Sequence, residues 1–170
     1  RVLLLLGEMR GADASPVVIT YNSAISACGQ NQQWSSALHL LGEADRAGLV
    51  PDVVTLSASI SACEKGVQWE RSFLLLEDLH ERALQPNLIT CSALISACEK
   101  GGQWQRALEL LARVVHEGLR PNAITYSAAI SACGRGQRWE LALGLLGEMR
   151  VQGLTPTAVT YGAAISACER

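Results

Sequence analysis

The sequence is poor in most of the features that announce a function. Its 170 residues include two Met, one Phe and three Tyr, and aromatics make up only 5%. The longest apolar run, Val2 to Leu6, is far short of the roughly 20 residues that cross a bilayer, so a transmembrane helix is excluded and no membrane partner is expected. Positive charge is not in excess, since 14 Lys and Arg face 16 Asp and Glu for a net charge of -2. A protein that grips phosphate indiscriminately is thereby excluded, and any nucleic-acid contact must come from where the charges sit. There is no Cys-x-x-Cys pair, no Gly-rich phosphate loop and no His-x-Glu of a zinc deaminase. No catalytic residue, metal or cofactor is therefore expected, and the segment reads as no enzyme.

What is present is apolar and periodic. Hydrophobic residues make up 49% and charged residues 18%, which argues against intrinsic disorder, and the length suffices to bury a core. The five prolines, Pro16, Pro51, Pro86, Pro121 and Pro156, stand 35 residues apart. The same step separates Trp34, Trp69, Trp104 and Trp139, then Cys28, Cys63, Cys98, Cys133 and Cys168, then Thr20, Thr55, Thr90, Thr125 and Thr160. A fixed period of this size is the mark of a repeat array.

Within one period Tyr21, Ile25 and Cys28 fall on one face of a helix expected to begin near Thr20. Helix-poor residues gather at Gly29 to Gln33, and Trp34, Ala37, Leu38, Leu41 and Ala44 then form a second stripe, predicting a helix from about Trp34 to Arg46. Gly48 stands where a helix C-terminal cap belongs, and Pro51 follows where a helix cannot easily continue. Two short helices cannot bury both stripes alone, so neighbouring units are expected to stack as an all-α solenoid of helix-turn-helix repeats. Small residues at Ala37, Ser72, Ala107 and Ala142 would let the helices of a pair approach closely.

The opening Val18-Ile19-Thr20-Tyr21-Asn22 and the closing Gly48-Leu49-Val50-Pro51-Asp52, at period 35, resemble the pentatricopeptide repeat family. The resemblance divides the chain into repeats at 18–52, 53–87, 88–122 and 123–157. Residues 1–17 then correspond to the second helix of a preceding repeat, Leu5 to Arg10 recurring as Leu145 to Arg150, and 158–170 to the first helix of a following one. An array interrupted in this way is expected to expose apolar surface at its ends. The resemblance implies a right-handed superhelical solenoid that binds single-stranded RNA, one base per repeat. It also implies an organellar location, chloroplast or mitochondrion, a role in RNA processing, editing, stability or translation, and protein partners through flanking regions. The segment reads as internal to a longer array, so no targeting segment is expected within it.

Two residues per repeat select the base in the resembled family, and they map onto Asn22 with Asp52, Ser57 with Asn87, Ser92 with Asn122, and Ser127 with Thr157. The chemistry makes this intelligible. An ionised Asp only accepts hydrogen bonds, so Asp52 suits the ring N–H of U or G, whereas the amides of Asn87 and Asn122 can donate to the ring nitrogen of A or C. A short Ser leaves room for a purine, and the longer Asn22 reaches a pyrimidine. The implied readout is 5′-U-A-A-purine-3′, with Ser127 and Thr157 the least determinate pair. The rival for these polar positions is the ordinary preference of such residues for helix N-termini.

Ile19, Val54, Ile89, Ile124 and Val159 occupy the register that sandwiches the bases in the family. Such stacking is worth roughly 1–3 kcal/mol per base for aromatic side chains and less for aliphatic ones; the rival reading is simple core packing. Lys65, Lys100, Arg135 and Arg170, with Gln30 interrupting the series, match the phosphate-contacting register and include both lysines of the chain. Four such contacts predict a salt slope of about -3 on single strands. Neutralisation of a helix C-terminal dipole is compatible with that role. The acids lie mostly on second helices. The in-register Cys residues, with Cys91, read as buried apolar residues, because stacked helices lie roughly 8–10 Å apart and cannot be bridged by disulfides. His39, His80 and His116 share no register. The alternative function is a helical scaffold for a peptide or protein, which the net acidity favours.

Overall fold

The computed structural model describes residues 17–169. The expected second helix within 1–17, Val17 apart, and Arg170 lie outside the described residues. Among the described residues every regular element is an α-helix: α1 (Val18–Gln30), α2 (Trp34–Arg46), α3 (Val53–Lys65), α4 (Trp69–Glu81), α5 (Leu88–Lys100), α6 (Trp104–His116), α7 (Ala123–Arg135), α8 (Trp139–Val151) and α9 (Ala158–Cys168). This is the all-α helical-repeat fold that the period implies. The chain forms two compact units, Arg1–Pro86 with α1 to α4 and Asn87–Arg170 with α5 to α9.

Each first helix starts about two residues before the expected position, because its cap is the residue that follows the proline. The Asp52 side chain accepts from the Thr55 N–H, and Asn87, Asn122 and Thr157 do the same for Thr90, Thr125 and Thr160. A capped N-terminus of this kind satisfies one of four orphaned backbone donors. The second helices begin at the Trp positions, as expected, with no side-chain cap bond at Gln33, Gln68, Gln103 or Arg138.

In the first unit α1 packs on α2 and α3, and α3 also packs on α2 and α4. The core is built from Tyr21, Ile25, Leu40, Leu56, Ile60 and Leu79. In the second unit α7 packs against α5 and α9, and each second helix lies on its own first helix and on the next; Leu94, Ile95, Val114, Tyr126, Ile130 and Met149 are buried there. First helices approach closely through small residues: a Cβ at Gly29 would lie 3.1 Å from the Ala62 Cβ, and one at Gly134 3.2 Å from that of Ala167. Ala37, Ser72, Ala107 and Ala142 are fully buried, in keeping with the close helix pairing expected of them. Apolar residues are exposed on α8 and α9, among them Trp139, Leu141, Leu143 and Ile165.

Two of the tryptophans that open second helices, Trp34 and Trp104, pack across the repeat boundary. Trp34 lies against Gly66, with the Arg71 guanidinium carbon 4.8 Å from its ring centroid; Trp104 lies against Gly136, with that of Arg138 at 4.9 Å. Stacking of this kind combines dispersion with the attraction of a cation for the ring face.

Both helix types end in Schellman geometry. Leu49 N–H donates to the Ala44 carbonyl and Gly48 N–H to Asp45, while Gln68 N–H donates to Cys63 and Val67 N–H to Glu64. The residue after each cap is left-handed, at φ 74° in Gly48 but at φ 57° in Val67, where a β-branched side chain is strained. The equivalent position one repeat later is Gly102, at φ 68°. Val67→Gly should therefore raise stability by about 1 kcal/mol, read from chemical denaturation of the intact chain. A destabilised variant would mean that the Val67 side chain contributes packing that outweighs its backbone strain.

Candidate nucleic-acid interface

The five β-branched residues of the expected base-sandwich register are exposed: Ile19 at 75%, Val54 at 58%, Ile89 at 68%, Ile124 at 70% and Val159 at 72%. Core packing is thereby excluded as their reason for being apolar. Each is the second residue of its helix, and all but Ile19 stand next to a side-chain-capped N-terminus; Val17, at the start of α1, makes no such bond.

The paired polar positions divide into two structural roles. Asp52, Asn87, Asn122 and Thr157 are N-caps, so that rival reading holds for them, but the cap engages one side-chain oxygen only. An Asn retains its Nδ2 and an Asp its second oxygen for a ligand. Asn22, Ser57, Ser92 and Ser127 are not caps; they are the fifth residues of their helices. Asn22 and Asp52 are joined through Thr55, whose Oγ1 lies 2.5 Å from Asn22 Oδ1 and 2.8 Å from Asp52 Oδ1. Ser92 and Asn122 are joined likewise through Thr125, at 2.8 Å and 3.0 Å, and Ser127 and Thr157 through Thr160, at 2.7 Å and 3.1 Å. Ser57 and Asn87 belong to different units. Ser57 donates to the Val53 carbonyl at 2.5 Å, and Asn87 Oδ1 accepts from the Thr90 N–H at 2.9 Å.

Electrostatics keep Asp52 ionised. Partial burial acts to raise its pKa, but the hydrogen bonds from the Thr55 backbone and hydroxyl, from Asn22 and from the Val54 N–H together hold the carboxyl below its ordinary value. At neutral pH it is an acceptor only.

In the second unit part of this set lines one cleft of about 390 Å³ among α5, α7 and α9. The exposed Ile124 and Val159 and the Ser127 and Thr157 pair border it, together with Ser96, Glu99 and Ser131. A neighbouring polar opening is lined by Ser131, Gly134, Arg135, Ala163 and Ser166.

Lys65, Lys100 and Arg135 are the last residues of α3, α5 and α7, as Gln30 is of α1, and there they also oppose the helix dipole. Arg170 lies outside the described residues. The basic series is not free of acid. Arg135 Nε pairs with Glu99 Oε1 at 2.8 Å, and Glu99 also accepts from the Ser131 hydroxyl at 3.1 Å. Sequence reasoning missed this carboxylate, and its signal was the Glu before each lysine, Glu64 and Glu99. Glu99→Gln should free the Arg135 guanidinium and raise affinity for single-stranded RNA about fivefold at 0.1 M salt, the equivalent of one phosphate contact. The check is a titration of both proteins over a salt series, and an unchanged affinity would mean that Arg135 makes no such contact.

The cysteines Cys28, Cys63, Cys91, Cys98 and Cys133 are free and buried. Burial pushes the thiols of Cys63 and Cys133 up to about 11 and that of Cys98 to about 12, so they stay protonated at neutral pH and fill space. Among the described residues no group of three or more His, Cys, Asp or Glu could hold a metal ion, and no helix is long and apolar enough to cross a membrane.

Family models match three stretches of the sequence: the pentatricopeptide repeat domain at 74–136, the PPR repeat family at 16–65 and the PPR repeat at 124–154. No curated protein matches the chain. Among solved structures it is similar to the pentatricopeptide repeat protein PPR10 from maize, at 31% identity and a TM-score of 0.76 over 97% of this chain and 24% of that one. PPR10 in complex with an 18-nt psaJ RNA element matches with a TM-score of 0.79 and 23% identity over 95% of this chain and 24% of that one. The PPR domain of Arabidopsis thaliana protein-only RNase P 1, in complex with tRNA, matches at 16% identity and a TM-score of 0.82, over 99% of this chain and 89% of that one. This chain thus spans about a quarter of the length of PPR10. With the period, the capped helix pairs and these matches taken together, the chain belongs to the pentatricopeptide repeat family.

Proposed function

We propose that the chain binds single-stranded RNA sequence-selectively, one base to each of the repeats 18–52, 53–87, 88–122 and 123–157. The observation that carries the reading is the exposed β-branched residue one turn from a capped polar pair, repeated along the first helices. An apolar side chain so exposed offers a stacking face to any base, and the polar pair beside it offers donors and acceptors to a base edge. The solved complex of PPR10 with an RNA element supports the assignment of RNA as the ligand.

In this reading Asn22 with Asp52 takes U, Ser57 with Asn87 and Ser92 with Asn122 take A, and Ser127 with Thr157 takes a purine. Ile19, Val54, Ile89, Ile124 and Val159 sandwich the bases, and Lys65, Lys100, Arg135 and Arg170 contact the phosphates. The biological setting is an organelle, chloroplast or mitochondrion, where the bound transcript is processed, edited, stabilised or translated through flanking regions and their protein partners.

The test is fluorescence anisotropy with labelled RNA carrying U-A-A-A or C-G-G-C, each at two salt concentrations. The expected result is preference for the first, with affinity falling as salt rises. Equal or absent binding to both overturns the reading and points to a peptide or protein ligand. Asn87→Asp exchanges a donor for an acceptor and should move preference at the second base from A toward G, changing the ratio by roughly tenfold. An unchanged preference for A would show the pair to be misassigned.

A further inference from the structure

The threonines at the third position of the first helices after α1 are buried, which is unusual for hydroxyls beside a ligand-facing edge: Thr55 is 1% exposed, and Thr90, Thr125 and Thr160 are fully buried. We propose that they are positioning residues that couple the two base-reading side chains of a pair and fix which of their atoms donate and which accept. The inference rests on the base-reading assignment above and deepens it.

The relay begins at the helix cap. The Thr125 N–H donates to Asn122 Oδ1 at 3.0 Å, so the oxygen of that amide is turned inward and Nδ2 outward. Thr125 Oγ1 lies 3.0 Å from the same oxygen and 2.8 Å from Ser92 Oγ. An amide oxygen can only accept and a hydroxyl carries one proton, so Thr125 donates to Asn122 and must accept from Ser92. Ser92 has then spent its proton inward and presents lone pairs outward. The outward edge is one donor, Asn122 Nδ2, beside one acceptor, Ser92 Oγ. Adenine offers the complement, a ring-nitrogen acceptor next to an exocyclic amine, whereas guanine offers the reverse.

The other two relays differ in a way that the same logic explains. In the first unit the Thr55 hydroxyl lies closer to Asn22 Oδ1, at 2.5 Å, than to Asp52 Oδ1, at 2.8 Å. Asn22 Nδ2 gives one proton to Asp52 Oδ1 at 3.5 Å and keeps its second, which beside the other Asp52 oxygen forms a donor and acceptor edge that matches the carbonyl and ring N–H of uracil. At Ser127, Thr160 and Thr157 all three groups are hydroxyls, and either partner can donate. That relay has no fixed polarity, so the fourth pair should discriminate poorly.

The test compares Thr125→Val, which keeps the branched shape and loses the hydroxyl, with Thr125→Ser, which keeps the hydroxyl. Affinities are measured for U-A-A-A and for the same RNA with G at the third base. In Thr125→Val the Ser92 hydroxyl is free to turn and donate, so the ratio of A to G affinity should fall roughly five- to tenfold, about one hydrogen bond; Thr125→Ser should retain it. Thr160→Val should leave the ratio at the fourth base unchanged. A purely structural role for Thr125 would weaken both RNAs equally, and a ratio unchanged in folded Thr125→Val overturns the relay alone. An unmodified protein that does not distinguish A from G at this base overturns the base-reading assignment and the relay with it. If Thr125→Val does not fold, the Thr125 hydroxyl proton of the unmodified protein carries the test by nuclear magnetic resonance. Held by Asn122 it exchanges slowly and gives a resolved signal, and exchange at the solvent rate overturns the proposal.

Discussion

Replacing Lys65 and Lys100 together by Glu is expected to weaken binding of U-A-A-A RNA by at least about 25-fold at 0.1 M salt. The figure follows from the release of about 0.7 counterion per neutralised phosphate on a single strand, taken for two contacts against a 1 M reference. Charge reversal adds repulsion to that loss. The salt slope should become shallower by about 1.4 units in the same titration. Both residues close a first helix, where a cation also complements the dipole, so each substitution costs about 0.3–1 kcal/mol of stability through that route. A melting curve separates the two effects, because loss of fold would remove binding without changing the slope of the remainder. Unchanged RNA affinity in a folded double variant would show that the phosphate-contacting register runs elsewhere on the chain.

The fold was legible because a 35-residue period repeats every decision several times within one chain. Trp34, Pro51 and Gly48 are weak signals singly, and their recurrence makes helix boundaries almost arithmetic. The apolar stripe predicts a start near Thr20, whereas the first helix begins at Val18, because the stripe begins later than the turn that leads into the helix. At the candidate site, residue types were legible and their atoms were not. A β-branched residue two places into a helix reads equally well as core or as surface, and only the exposure of Ile19 and its equivalents decides. Asn122 reads as a cap or as a ligand, and its geometry allows both because the cap uses one oxygen. The pairing of Arg135 with Glu99 joins residues one repeat apart, and neither the net charge nor the register of a single repeat contains that distance. Thr125 was visible as a periodic residue, but its work depends on proton direction, which is set by three bonds around it.

Gly136→Ala is expected to destabilise the second unit by about 1–3 kcal/mol, the range of an overpacked core substitution. Backbone freedom is not the reason, since φ at this residue is -81°, which any residue adopts. The reason is space. A Cβ at Gly136 would stand 2.2 Å from Trp104 Cδ1, 2.5 Å from Cγ and 2.8 Å from Nε1. Those atoms lie near the root of the indole, so a small rotation of its far edge gives no relief, and the ring must leave both Gly136 and the Arg138 guanidinium stacked on it. Gly66 meets Trp34 in the same way in the first unit, at 2.2 Å from Cδ1, so Gly66→Ala should behave alike. Gly144 supplies a control of opposite sign: it lies within α8 with nothing near its absent Cβ. Gly144→Ala should therefore stabilise by about 0.5–1 kcal/mol through helix propensity alone. Denaturation followed by tryptophan fluorescence and by circular dichroism reads both changes. A Gly136→Ala protein as stable as the parent would show that the indole of Trp104 has another place to go, and that the Gly and Trp contact does not hold successive repeats together.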